Sequence, residues 1–156
     1  MASTVTAATL TVTIDEDLPL NGRQCGSKTT RTFTGVNEYS RQIKTCYEDD
    51  TNVLLTFAAS TGDVDLGNEL LLGSVKYIRL TNLDDTVTVE VVVVSAAGTM
   101  VFKLLAGESW ILTGGGTSMA LSAGTSGTAT TFTALSRISA HVTTGNADVE
   151  VFVARA

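Results

Sequence analysis

The feature that most constrains this chain is a two-residue rhythm that recurs from one end to the other. Thr9-Leu10-Thr11-Val12-Thr13-Ile14 alternates polar and apolar residues, and so do Arg41 to Tyr47 and Leu135 to Thr143, while Val75 to Thr81 and Met100 to Leu105 read as further strands. Successive side chains of an extended strand point to opposite faces, so this pattern gives each segment one buried face and one solvated face. No window carries a helical period, and Ser-x-x-Glu caps ahead of an apolar stripe are absent. Asn21-Gly22, Thr61-Gly62-Asp63, Gly67-Asn68, Ala97-Gly98, Ala106-Gly107-Glu108 and Gly145-Asn146 punctuate the strands as turns. Many short strands at close spacing with glycine turns predict an all-β sandwich or barrel.

The expected architecture is a single-domain antiparallel β-sandwich over residues 1–156, jelly-roll-like, with residues 1–14 as an N-terminal arm or edge strand. The same alternation serves a jelly roll and an immunoglobulin-like sandwich. With 156 residues, one core buries roughly two-thirds of the unfolded surface. The expected inward set is Leu10, Val12, Ile14, Leu55, Phe57, Tyr77, Val91, Phe102, Leu104, Trp110, Ile138 and Phe152. Val75 to Thr81, the turn Asn82-Leu83-Asp84-Asp85 and the returning Val87 to Val94 read as a β-hairpin. Residues Ser60 to Gly73 and the small-residue region from Gly114 to Thr131 read as loops, the latter broken by Met119-Ala120-Leu121.

Composition narrows the function. Hydrophobic residues make up 44% of the chain and charged residues 17%, against about 25% charged in an ordinary soluble domain. A surface short of charge and rich in Thr, Ser and Gly suits a domain that covers part of itself by association, and equally a secreted β protein. The net charge of −6 argues against phosphate-backbone binding, which needs clustered Lys and Arg. The densest basic stretch, Arg23, Lys28, Arg31, Arg41 and Lys44, is diluted by Glu38 and Glu48. The longest apolar run, Val91 to Val94, is far short of the roughly 20 residues of a membrane span. The N-terminus has neither the basic region nor the leucine-rich stretch of a secretory signal, so folding in a cytoplasm is expected. Cys25 and Cys46 form neither a disulfide framework nor a zinc site, and are expected to be reduced, small apolar residues.

No residue set assembles into catalysis, so the expected site is empty: no catalytic, cofactor-binding or metal-binding residues. His141, the one histidine, lies with Arg137 and Ser139 on the polar face of its strand and lacks a nucleophile and an orienting acid. Gly116-Thr117-Ser118-Met119-Ala120 echoes a nucleophile elbow without its last glycine. Asp63-Val64-Asp65-Leu66-Gly67-Asn68-Glu69 sets oxygen ligands in a loop, in a pattern other than an EF-hand. Glu48-Asp49-Asp50 and Asp84-Asp85 read as solvated turns. Gly114-Gly115-Gly116 is followed by neither Gly-Lys-Ser/Thr nor a helix. Trp110, Tyr39, Tyr47 and Tyr77 are the candidate aromatic platforms for a sugar.

Tyr77-Ile78-Arg79-Leu80-Thr81-Asn82-Leu83-Asp84-Asp85, the Val-rich strand after it, and Phe102-Lys103-Leu104-Leu105-Ala106-Gly107-Glu108-Ser109 resemble a pattern in small virion structural proteins of tailed bacteriophages. Ile138 to Val142 with Ala147 to Val151 is similar to their closing hairpin. The likeness covers about the second half of the chain. It implies a capsid decoration or cement protein in the virion, often a homotrimer, with itself and the major capsid protein or other virion proteins as partners, and with no catalytic residues to carry over. The competing expectation is a carbohydrate- or receptor-binding β-sandwich on a tail or fibre. A small β enzyme is the weakest, because cupin-like sites gather several histidines.

Overall fold

The computed structural model describes residues 6–58, 69–114, 120–123 and 131–156. Its strands are β1 (Ala8–Asp15), β2 (Pro19–Leu20), β3 (Arg23–Gln24), β4 (Lys28–Val36), β5 (Glu38–Cys46), β6 (Asn52–Ala58) and β7 (Glu69–Leu71). After a 3-10 turn at Leu72–Ser74 come β8 (Val75–Asn82), β9 (Val89–Ser95), β10 (Gly98–Leu104), β11 (Ser109–Thr113), β12 (Ala120–Ala123), β13 (Thr131–His141) and β14 (Ala147–Arg155).

Two sheets pack into an all-β sandwich. Sheet one runs β10-β9-β13-β6-β7, with β12 also paired to β13, and sheet two runs β11-β8-β14-β5. All pairs between these strands are antiparallel except the short β6–β7 pair. Alternation supplies the faces between them. Val89, Val91 and Val93 of β9 point inward, meeting Ile138, Ala140 and Val142 from β13 and its end. From sheet two, Ile78 and Leu80 of β8 and Val149, Val151 and Val153 of β14 complete the layer. Burying each of these large aliphatic side chains contributes about 1.5–3 kcal/mol.

The chain changes sheet at most of its corners, and this corrects the hairpin expected at Val75 to Val94. β8 lies between β11 and β14 in sheet two, whereas β9 lies between β10 and β13 in sheet one. The link is held as a corner by Asn82, which is fully buried. Its Nδ2 donates to the carbonyls of Val87 at 2.7 Å and of Leu104 and Leu105 at 3.2 Å, while Oδ1 accepts from Asp84 N. The closing pair is likewise no hairpin: β13 belongs to sheet one and β14 to sheet two. A true two-residue hairpin does join β9 to β10, with Ser95 opposite Gly98.

Residues 6–36 depart from the sandwich. β1 pairs only with β4 among the described residues, Leu10 facing Phe33 and Val12 facing Arg31. The ribbon continues into β2 and β3, closed by Asn21-Gly22. Both residues have positive φ, 50° and 75°, the requirement of the turn that matches strand twist in a tight hairpin. At Gly26 the two strands pass so closely that an added Cβ would lie 1.6 Å from the Glu16 carbonyl oxygen.

The base of this ribbon lies on the outer face of sheet two. Phe33, Val36, Leu10 and Val12 form a second apolar cluster with Tyr77, Phe152 and Ala154. Tyr77 and Phe152 are therefore covered, as expected, but by the ribbon and not between the sheets. Ile14 was expected inside and is 50% exposed. It shares the face of Leu10 and Val12, but the ribbon has by then run off the sheet. The other expected core residues sit as predicted or nearly so: Val91, Leu104, Ile138 and Phe57 are buried, while Leu55, Phe102 and Trp110 are half-buried against the main core. The segment expected as loop from Ser60 to Gly73 contains β7, whose pairing with β6 is parallel; residues 59–68 lie outside the described residues.

Candidate interaction surfaces

The outer face of sheet two is a ladder of rows set by register. Phe152 on β14 lies between Arg79 on β8 and Arg41 on β5, and Glu150 lies between Thr81 and Ile43. Both arginines turn diagonally back to Glu150. Arg41 donates from Nε at 2.6 Å and from Nη2 at 2.5 Å to Oε2, and Arg79 Nη2 donates to Oε1. The Glu150 side chain is only 5% exposed. Hydrogen bonding by Arg41, then by Arg79, holds its carboxyl below the usual carboxylate range against the opposing cost of burial. The cluster ties three strands in one register and carries one excess positive charge, balanced on the same face by Asp148, which accepts from Thr45 at 2.7 Å. Nothing in the alternation identified it, although one acid inside Val149-Glu150-Val151-Phe152-Val153 was its signal.

Next to this cluster Tyr39, 71% exposed, stacks on Phe152 at 6.2 Å between ring centroids. Tyr47 is also exposed. Of the other aromatic platforms expected, Tyr77 is buried under the ribbon against Phe33, and burial raises its phenol above the ordinary range. Trp110 faces the core, its ring 4.7 Å from that of Phe102.

The flank of the sandwich at β5 is open among the described residues. Among the described residues β5 pairs with β14 alone, leaving its other edge unpaired along nine residues. Beside it the two sheets separate into a groove of about 350 Å³ between β5 on one side and β6 and β7 on the other. Leu54, Leu55, Leu70, Val151 and Val153 give it apolar walls; Glu38, Ser40, Gln42, Lys44, Glu69 and Arg155 give it a polar rim with two acids and two bases. Lys44 Nζ reaches across to donate to the Leu54 carbonyl at 2.8 Å.

On the opposite side of sheet two the ribbon overhangs. Its Arg31 donates to Thr113 Oγ1 at 2.8 Å, on the outermost strand β11. From Thr13 to Thr32 every residue but Gly26 is exposed, including Ile14, Leu18 and Leu20. Contacts within the ribbon hold this length together. Lys28 pairs with Asp15 at 2.8 Å, Ser27 donates to Glu16 at 2.5 Å, and Gln24 donates to Asp17.

The chemistry-bearing candidates fall on turns and outer faces. His141 Nδ1 is 3.8 Å from Glu90 Oε2 on sheet one, and Lys103 is 3.5 Å from the same carboxylate. Asp84 accepts from Thr86 N and Val87 N, which lowers its pKa and makes it a staple of the β8–β9 corner. Glu48 N donates to the side chain of Asn146 and Asp49 N to the Val142 carbonyl, so this acidic turn braces the β13–β14 corner. Glu69 begins β7 and lines the groove. The rest of the Asp63 loop and the residues 115–119 that held the elbow-like and triple-glycine motifs lie outside the described residues. No group of three or more His, Cys, Asp or Glu able to hold a metal ion occurs among the described residues. Both cysteines are free. Cys46 is buried, and desolvation raises its thiol pKa to about 11. Cys25 departs from the apolar role expected of it: it is exposed on the ribbon.

Comparison with known proteins finds no matching family model, no matching curated protein and no matching solved structure.

Proposed function

We propose that this chain is a non-enzymatic structural protein of a tailed-phage virion, a capsid decoration or cement protein that stabilises the head through subunit contacts. The observation that carries this reading is the overhanging ribbon. A two-stranded ribbon is marginal in water on its own, and here it projects past its sheet with Ile14, Leu18 and Leu20 exposed. Such an element gains its stabilisation from a neighbour. The β5 edge, unpaired among the described residues, adds a second association surface, since an unpaired strand edge invites pairing. The motif likeness of Tyr77 to Ser109 supports the virion as the setting, and its trimeric members support self-association. In this reading the partners are further copies of the chain and the major capsid protein, the location is the particle, and neither nucleic acid nor membrane is bound.

Immunogold labelling with antibodies to the chain, on tailed particles purified from cells that carry the gene, tests the proposal. Gold over the heads is the expected result. A chain recovered only in the soluble fraction contradicts it.

One observation favours a second reading, a receptor- or carbohydrate-binding module on a tail or fibre. Tyr39 presents an exposed ring stacked on Phe152, with Arg41 beside it, an arrangement that can receive the apolar face of a sugar. Label on tail tips, with binding to a glycan array that Tyr39→Ala abolishes, would favour it.

A further inference from the structure

Six asparagines occur in the chain, at positions 21, 37, 52, 68, 82 and 146, and only Asn21 is followed by a glycine. Their surroundings divide them. Asn82 is buried, and its amide donates to three carbonyls. Asn52 is held by its own turn: Oδ1 accepts from Tyr47 N, and Nδ2 donates to the Tyr47 and Asp50 carbonyls, each at 3.1 Å. Asn146 Oδ1 accepts from Glu48 N at 3.1 Å. Asn37 is exposed but precedes Glu38, whose side chain crowds the approach and is itself held by Arg155. Asn68 lies outside the described residues.

Asn21 has none of these restraints. It is exposed at the tip of the ribbon, and neither its side chain nor the Gly22 amide hydrogen-bonds to another described residue. A carbon added at Gly22 would meet nothing within 4 Å, so no neighbour shields the pair. The turn it forms is closed only by β2 and β3, two residues each. So short a hairpin is marginal in water and opens locally at little cost. In the open form the backbone at Asn21 turns freely, and glycine puts no side chain in the way of its own nitrogen.

We propose that Asn21 is a site of self-modification, converting through a succinimide into an aspartyl or isoaspartyl residue and so unpairing the ribbon tip. The Gly22 amide gives its proton to solvent and its nitrogen attacks Asn21 Cγ. The N–Cγ bond forms, the Cγ–Nδ2 bond breaks, and Nδ2 takes up a proton and leaves as ammonia. Water then opens the ring. Attack at Cγ gives aspartate; attack at the backbone carbonyl gives isoaspartate, whose main chain runs through Cβ and is one atom longer. Either product adds one negative charge. Only the second changes the turn, because a loop of two residues closes at a fixed backbone geometry, and Leu20 then no longer meets Arg23. Water is the one co-reactant, and the inference is independent of the virion reading.

The full chain is aged at mildly alkaline pH, where more of the amide is ionised, and its peptides are mapped for a mass gain of about one dalton. Fragmentation that cleaves the extra backbone bond distinguishes isoaspartate from aspartate. In the folded chain, conversion at Asn21 should run ahead of every other asparagine, and Asn52, Asn82 and Asn146 should convert only in urea. The isoaspartyl fraction, separated by anion exchange, should lose the cross-strand contact between Leu20 and Arg23 in nuclear Overhauser spectra, with unchanged thermal midpoint. Fresh Asn21→Asp carries the same charge on an ordinary backbone and should keep that contact. Conversion of Asn21 no faster than that of Asn37 in the folded chain, or an isoaspartyl chain that keeps the Leu20–Arg23 contact, overturns the proposal.

Discussion

The ribbon and the sandwich are written in the same alternation, and they end in opposite environments. β14 buries its Val149, Val151 and Val153 against sheet one, whereas β1 places Ile14, on the same apolar face as Leu10 and Val12, in water. The difference is what lies opposite. An alternating strand specifies that one face is apolar; whether that face is buried depends on a second layer, and the ribbon outruns its layer at β11. A β-strand can therefore be locally correct and still be unfinished.

Core truncation should separate the two regions most sharply. Leu80→Ala removes a fully buried side chain and should cost about 2–5 kcal/mol in urea unfolding, while Leu20→Ala on the ribbon should stay within about 0.5 kcal/mol of wild type. Equal losses would merge what is distinguished here.

Asn82→Ala comes next. It leaves the Leu104 and Leu105 carbonyls without their side-chain donor at the β8–β9 corner, and a cost of about 2–3 kcal/mol is expected from the same unfolding experiment. No ribbon polar group should approach that figure.

A pH series tests the outer-face cluster. The Glu150 carboxyl is lowered in the folded state, chiefly by Arg41, so the unfolded chain binds the more protons as pH falls. Its stabilisation is complete above the ordinary glutamate pKa of about 4.3 and is lost as pH falls through the lower folded value. Asp84, also lowered, acts with the same sign. Stability should decline below about pH 4.5, and Glu150→Gln should flatten that decline, measured by denaturation midpoints across acid pH.

The smallest global effect belongs to Gly26→Ala. Its Cβ would collide with the Glu16 carbonyl, so β2 and β3 should lose their pairing. The thermal midpoint of the sandwich should move little, because residues 13–25 do not support it. A large drop would show that the ribbon holds up the body.

Strand identity was legible because alternation is local: Leu104, Ile138 and Val91 sit inside as their spacing requires. Partnership was not. The turn-like Asn82-Leu83-Asp84-Asp85 suggests a hairpin, but Asn82 spends its side chain on the Leu104 and Leu105 carbonyls, contacts more than twenty residues away that no local pattern contains. The same is true of Tyr77 and Phe152, which alternation places between the sheets and which the ribbon covers on the outer face instead. The Glu150 cluster joins three strands whose order alternation does not encode, and the groove exists only because β5 and β6 end up on different sheets.

Hydrogen exchange on the dilute chain tests this division most directly. The account predicts that amides of β8, β9 and β14 exchange only on global unfolding, that those from Thr13 to Thr30 exchange orders of magnitude faster, and that the latter slow as copies associate. Ribbon amides as protected as the sandwich at the lowest concentration would contradict it.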